Sequence, residues 1–150
     1  MPTSPAVERH AGTGHDLRPR YHRLAAPLLA GAGGLAAMAY VRVVDPNEPG
    51  HYLPCPLFRL TGLYCPLCGM TRAAHDLASA DVAGAMARNP LVIPVLVLAV
   101  GLWGTWLVQR WRGSSGPWRA PAWLPNVLAV VLVVFGVARN VPGWTWLSPV

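Results

Sequence analysis

The sequence predicts an all-α membrane protein with three transmembrane helices and one or two short helices in the loop that carries its cysteines. Three observations predict it. Hydrophobic residues make up 53% of the 150 residues and charged residues only 12%, about half the charged share of a soluble domain. Three apolar runs, at about 24–41, 90–109 and 123–140, approach the ~20 residues a helix needs to cross a bilayer. Five of the seven Trp residues, Trp103, Trp106, Trp111, Trp118 and Trp123, gather around one loop between spans, at the headgroup level that this amphipathic ring favours.

Residues 1–22 are polar, rich in Pro, Gly, His and Arg, and lack apolar periodicity, so they are expected to be a disordered extension. Residues 23–150 form the helical membrane domain. The first run is broken only by Pro27 and a Gly-rich centre. Ala26, Ala30 and Gly34 recur every four residues, a small-residue stripe on which another helix can pack closely. Ala37-Met38-Ala39 fits a signal-peptide cleavage site. The run is longer than a signal core and its polar leader unusually long, so it reads as a retained span.

The loop over 42–89 opens on Asp45-Pro46-Asn47-Glu48-Pro49-Gly50, a succession of turns. Cys55-Pro56 starts a short semi-apolar piece from Leu57 to Leu63. A helix is expected from about Thr71, as its cap, to Ala78, and a second from its cap Asp81 to about Arg88. Asn89-Pro90 then pairs a good N-cap with the residue favoured at the first helical position, opening the second span. The third span is short unless it runs on through Arg139-Asn140, which brings it to roughly 17 residues, the lower limit. Trp144 and Trp146 in the tail form another interfacial pair.

All twelve basic residues are Arg, and the net charge is +6. The Arg residues flank apolar runs and do not form a stripe with stacking aromatics, which excludes nucleic acid as the partner. With three spans, Arg9, Arg18, Arg20, Arg23, Arg110, Arg112 and Arg119 fall on one face and the other five on the opposite one. The positive-inside rule then puts the N-terminus in the cytoplasm and the cysteine loop outside it. The lipid bilayer is the expected partner, together with a second membrane protein or further copies of the chain.

The chemistry concentrates in Cys65-Pro66-Leu67-Cys68-Gly69-Met70-Thr71-Arg72-Ala73-Ala74-His75. Four readings stand side by side. The first is a metal knuckle: backbone N–H groups turn toward the sulfurs, Gly69 takes the tight conformation after the second Cys, and Cys55 and His75 complete a four-ligand site for zinc. The second is thiol redox: Cys65 and Cys68 at a helix start, near Arg72, would be acidic thiols, with Cys55 resolving. No thioredoxin-like pattern surrounds them. The third is a structural disulfide or tight turn; the three cysteines, at 55, 65 and 68, argue against a complete disulfide set. The fourth is a binding loop in which Thr71, Arg72, His75, Arg139 and Asn140 line a pocket for an anionic headgroup or a partner. Arg139 ends the third span on the face of this loop and either meets it or snorkels to the interface.

The nine residues Cys65-Pro66-x-Cys68-Gly69-x-Thr71-Arg72-Ala73 closely resemble the C-P-x-C-G-x-T-R-A signature of the domain of unknown function 2752 family, small bacterial membrane proteins. Cys55-Pro56, Thr61-Gly62, Asn89-Pro90 and Arg139-Asn140 fit it too, so the resemblance covers roughly residues 40–142. Leu67 stands where the family often has a small residue. The resemblance implies a multi-pass helical protein of the bacterial cell membrane and highlights Cys55, Cys65, Pro66, Cys68, Gly69, Thr71, Arg72, His75, Asn89, Arg139 and Asn140. It supplies no reaction. No Ser/His/Asp triad, phosphate loop or paired carboxylates are visible. The expected function is therefore a non-enzymatic structural, metal or partner-binding site. The alternative is a membrane thiol-disulfide oxidoreductase acting through Cys65 and Cys68.

Overall fold

The computed structural model describes residues 19–48, 50–53, 55–114 and 117–144. Among these residues there are six helices and no strand: α1 (Arg20–Val43), α2 (Pro56–Thr61), α3 (Met70–Ala78), α4 (Val82–Arg88), α5 (Val92–Trp111) and α6 (Leu124–Arg139). The expectation for residues 1–18 and the Trp146 half of the interfacial pair lie outside the described residues. Residues 20–22, assigned to the polar extension by sequence, are instead the first residues of α1.

Two helices are long and apolar enough to cross a membrane. α1 has 24 residues and α5 has 20, about 36 and 30 Å at a rise of about 1.5 Å per residue. Only 6% of each apolar window is buried within the chain. The third run falls short of the expectation. α6 has 16 residues, about 24 Å. It stops where the Asn140 side chain turns back and donates its amide to Gly136 O at 2.7 Å, capping the carbonyl that the Asn140 N–H of a longer helix would have bonded.

α1 and α5 meet at one seam. Trp103 Nε1 donates to Pro27 O at 2.8 Å, and Pro27 is buried. Gly31 makes room for the indole, since a Cβ there would stand 2.9 Å from Trp103 Cζ2. The Ala26, Ala30 and Gly34 stripe is not the contact face: all three are exposed, and Gly34 has nothing within 4 Å of its Cβ position. Helical phase explains the difference, because Pro27 and Gly31 lie one residue round from that stripe.

α3 and α4 form a hairpin across the loop-side ends of α1 and α5. Ala73, Ala85 and Val92 make its core, flanked by Met70, Leu77 and Ile93. Two fully buried alanines let the helices approach closely. Arg42 Nη1 donates to Ala78 O at 2.6 Å, and Arg88 Nε lies 3.6 Å from Asp76 Oδ2. Asp81 caps α4 as expected, its Oδ1 accepting from Gly84 N at 2.8 Å. α3 starts from Gly69 and not from a Thr71 cap. Asn89 Oδ1 accepts from Leu91 N as an N-cap would, but α5 starts at Val92, after Leu91, and not at Pro90.

Among the described residues α6 makes no close backbone approach to another helix. Its last turn is bound to the cysteine loop, and Leu124 in its first turn is buried. The C-terminal ends of α1 and α6 and the N-terminal end of α5 thus converge on one polar cap.

Candidate functional site

Cys55 is the N-cap of α2. The segment from Cys65 to Gly69 is a knuckle: Cys68 N donates to Cys65 O at 3.0 Å, and Met70 N donates to Leu67 O at 3.0 Å. Gly69 sits at φ +77°, a left-handed conformation that costs a side-chain-bearing residue roughly 1–2 kcal/mol, so the glycine after the second Cys follows from the turn. Pro66 packs toward Gly136 of α6, within 3.4 Å of where a Cβ would stand.

The turn and the start of α2 gather three thiols. Cys65 Sγ lies 3.4 Å from Cys55 Sγ and 3.2 Å from Cys68 Sγ, and all three sulfurs fall within 4.8 Å of one another. All three cysteines are free and half-buried. Their environments differ. The Phe58 N–H at the start of α2 donates to Cys55, and with hydrogen bonds from Cys68 and Cys65 it brings the Cys55 thiol down to about 7. Burial, then hydrogen bonds to Cys65 and Cys55, pushes Cys68 up to about 12. The bare cluster therefore favours one thiolate, at Cys55, with Cys68 keeping its proton.

A clasp of side chains holds the knuckle from behind. Arg139, 2% exposed, donates from Nη1 to Cys68 O at 2.8 Å and, at 3.4 Å each, to Cys65 O and Pro66 O. Its Nη2 donates to Arg88 O at 3.0 Å. The guanidinium stacks over Phe135, 5.3 Å from the ring centre. Asn89, fully buried, donates from Nδ2 to Pro66 O at 3.0 Å and Cys68 O at 3.1 Å. Its Oδ1 accepts from Leu91 N at 3.0 Å. Asn140 brackets Tyr64, accepting from its N–H at 2.9 Å and donating to its carbonyl at 2.8 Å. Asn89, Arg139 and Asn140, singled out by sequence as a cap and a span end, thus fix the path of the thiol loop. Arg139 turns into the loop and does not snorkel.

His75 stands apart, so the expected four-ligand set is three thiols without the imidazole. Its Nδ1 lies 2.8 Å from Val41 O and its Nε2 3.9 Å from Asp45 Oδ1, which ties α3 to the end of α1. Asp45 is held below the usual carboxylate range, first by the Asn47 N–H, with His75 and Arg72 adding smaller effects. Thr71 and Arg72 line a cavity of about 490 Å³, whose wall also includes Cys55, Cys68 and Gly69.

Sequence reasoning missed Arg42, Asp45, Tyr64 and Gly136. Gly136 sits one turn before Asn140, and small residues at that spacing are the signal for a close approach. Tyr64 participates through its backbone, for which no side-chain signal exists; its ring stacks on Phe58 at 4.8 Å.

Comparison with known families identifies this segment. Residues 55–103 match the DUF2752 family, described as a protein of unknown function. The DUF2752 match takes in all three thiols, the knuckle, α3, α4, Asn89 and the first part of α5. Arg139 and Asn140 lie beyond it, so the clasp joins the DUF2752 segment to the chain that follows. No curated protein and no solved structure matches the chain.

Proposed function

We propose that Cys55, Cys65 and Cys68 hold one thiophilic divalent cation, zinc being the simplest choice, at the surface of a membrane protein, as a non-enzymatic site. The observation that carries this reading is the meeting of three sulfurs within 4.8 Å on a loop whose backbone is fixed by buried Asn89 and Arg139. Tetrahedral zinc with Zn–S bonds of ~2.3 Å sets its sulfurs about 3.8 Å apart, close to the 3.2 and 3.4 Å here. A cation relieves the repulsion that three thiolates would suffer. The N–H of Phe58 already favours one of them.

The membrane setting rests on the apolar helices. Their outward faces expose Leu28, Leu29, Leu35, Val97, Val100, Val130, Val133 and Val134, far more apolar surface than a soluble chain leaves in water. In this proposal α1, α5 and α6 all span, with α6 reaching both faces by local thinning of the bilayer and with Arg139 inside the cap. The cysteine loop faces away from the cytoplasm.

A second reading has its own observation. Cys65 Sγ touches both other sulfurs, and a thiol near 7 at Cys55 suits thiol-disulfide exchange at Cys65 and Cys68. One experiment separates the two. Protein purified in detergent without chelator or reductant is assayed for zinc and iron per chain, beside Cys65→Ser. About one metal per chain, lost in the variant, supports the cation site. No metal in either sample, with rapid alkylation of Cys55, sinks it in favour of exchange.

A further inference from the structure

Three protein thiolates leave a tetrahedral cation one position short, and the surroundings decide where that position opens. On the α6 side the knuckle is closed by Arg139 and Asn89, both buried and bonded to the carbonyls of Pro66 and Cys68. His75 is engaged at Val41. On the opposite side Cys55 and Cys68 themselves form part of the wall of the cavity of about 490 Å³. The open position therefore faces that cavity.

The cavity wall carries a positive charge as well. Arg72 follows Thr71 in it, half-buried. Among the described residues Arg72 makes no hydrogen bond or ion pair. Its nearby acid, Asp45, spends Oδ1 on the backbone and side-chain N–H groups of Asn47, at 2.8 and 2.7 Å. Glu48 lines the rim with its side chain 70% exposed and beside His51. Phe58 and Tyr64 supply an apolar flank.

We infer that this cavity receives a small thiol acid, whose thiolate fills the fourth position of the cation and whose carboxylate pairs with Arg72. The inference rests on the cation reading above and names the ligand class of that same site. A soft three-sulfur site prefers a fourth sulfur to an oxygen donor, and a guanidinium suits a carboxylate by its paired N–H geometry. On binding, the incoming thiol loses its proton to solvent, a metal–sulfur bond forms, and the group previously at that position leaves. No electron moves.

The test uses the full chain in detergent, loaded with Co²⁺, whose sulfur charge-transfer absorption reports its ligands. The probes are 3-mercaptopropionate, 2-mercaptoethanol and propionate. The expected result is that 3-mercaptopropionate raises the charge-transfer band by about a third, as three sulfurs become four, and binds at least about tenfold more tightly than 2-mercaptoethanol. Propionate leaves the band unchanged. In Arg72→Gln, which should still take one cobalt per chain, the two thiols bind equally. Equal binding of both thiols to the native chain overturns the inference, as does a preference that survives in Arg72→Gln. A Glu48→Gln variant whose cobalt spectrum changes without any probe also overturns it, because Glu48 would then be the fourth ligand. One cobalt per chain with no response to either thiol overturns this inference alone. No cobalt bound at all overturns it together with the cation reading.

Discussion

Replacing Arg139 by Met tests whether the last turn of α6 holds the thiol loop. Met keeps most of the volume and removes the charge and the donors. The guanidinium makes two bonds of good length, to Cys68 O at 2.8 Å and Arg88 O at 3.0 Å, and two long ones at 3.4 Å. Charged hydrogen bonds contribute about 1.5–3 kcal/mol each. The two good bonds alone would suggest about 4 kcal/mol. However, Cys68 O and Pro66 O keep a donor in Asn89, so only part of that is lost. About 3 kcal/mol is the expected cost.

The assay is amide hydrogen exchange of the reduced, metal-free chain in detergent, read at Cys68 and Met70, whose N–H groups are bonded within the knuckle to Cys65 O and Leu67 O and exchange only when the loop opens. At about 1.4 kcal/mol per factor of ten, a loss of 3 kcal/mol speeds exchange about a hundredfold. Arg139→Lys should recover about half of the loss, because one ammonium cannot bridge Cys68 O and Arg88 O as a guanidinium fork does. Arg139→Met with Asn89→Ala should exceed the sum of the single effects by about 1 kcal/mol, since the two side chains share acceptors. An Arg139→Met chain whose Cys68 and Met70 amides exchange within about twofold of the native rate, with helix content unchanged, would refute the clasp and return Arg139 to a surface role.

Four further outcomes follow from the same geometry. His75→Ala should leave the metal content per chain unchanged while lowering stability by about 1 kcal/mol, because its Nδ1 serves Val41; Cys55→Ser should abolish binding, and metal analysis of both variants checks this. Cation binding must displace the Cys68 proton, held up to about 12, at any working pH, whereas Cys55, at about 7, is already ionised above that pH. Affinity should therefore rise with pH, and calorimetry in buffers of different ionisation enthalpy should find one fewer proton released per cation at pH 8 than at pH 6. Gly31→Ala should lower the detergent melting temperature through a clash with the Trp103 ring, a loss of about 1–3 kcal/mol that Trp103→Leu in the same chain partly relieves. Impermeant maleimide added to intact cells should modify Cys55 in the reduced chain but not a cysteine introduced at Ser114; the reverse pattern would invert the proposed orientation.

The helices and the knuckle were legible because their signals are local. Apolar runs, Asp81 three residues before Gly84 and Gly69 after the second Cys each write their structure within a few residues. What was not legible is long-range pairing. Asn89 reads as an N-cap by any local rule, and its Oδ1 does serve Leu91 N, yet its Nδ2 is spent on Pro66 and Cys68, more than twenty residues earlier in the chain, and α5 starts only at Val92. Thr71 reads as a cap, but the preceding left-handed Gly69 already starts α3. His75 has the right residue type and a reachable spacing for a ligand. The packing of α3 on α1 turns it to Val41 instead, and no property of residues 65–75 alone announces that. The stripe at Ala26, Ala30 and Gly34 failed for the same reason. Small residues permit contact on a face, but the position of Trp103 on another helix chose Pro27 and Gly31.

The clasp leaves the bearing of the charge pattern on orientation unchanged. In the proposed three-span topology a simple count sets seven Arg on the N-terminal side against Arg42, Arg59, Arg72, Arg88 and Arg139 on the other, a modest bias. Three of those five have structural work that fixes their place whichever way the chain inserts. Arg42 caps α3 at Ala78, Arg88 pairs with Asp76, and Arg139 binds the knuckle. Those bonds do not remove the guanidinium charges, which oppose translocation whatever the side chains later hold. We propose that orientation follows the full count of seven against five, a bias that favours an external cysteine loop only modestly, so the maleimide pattern at Cys55 and Ser114 decides it.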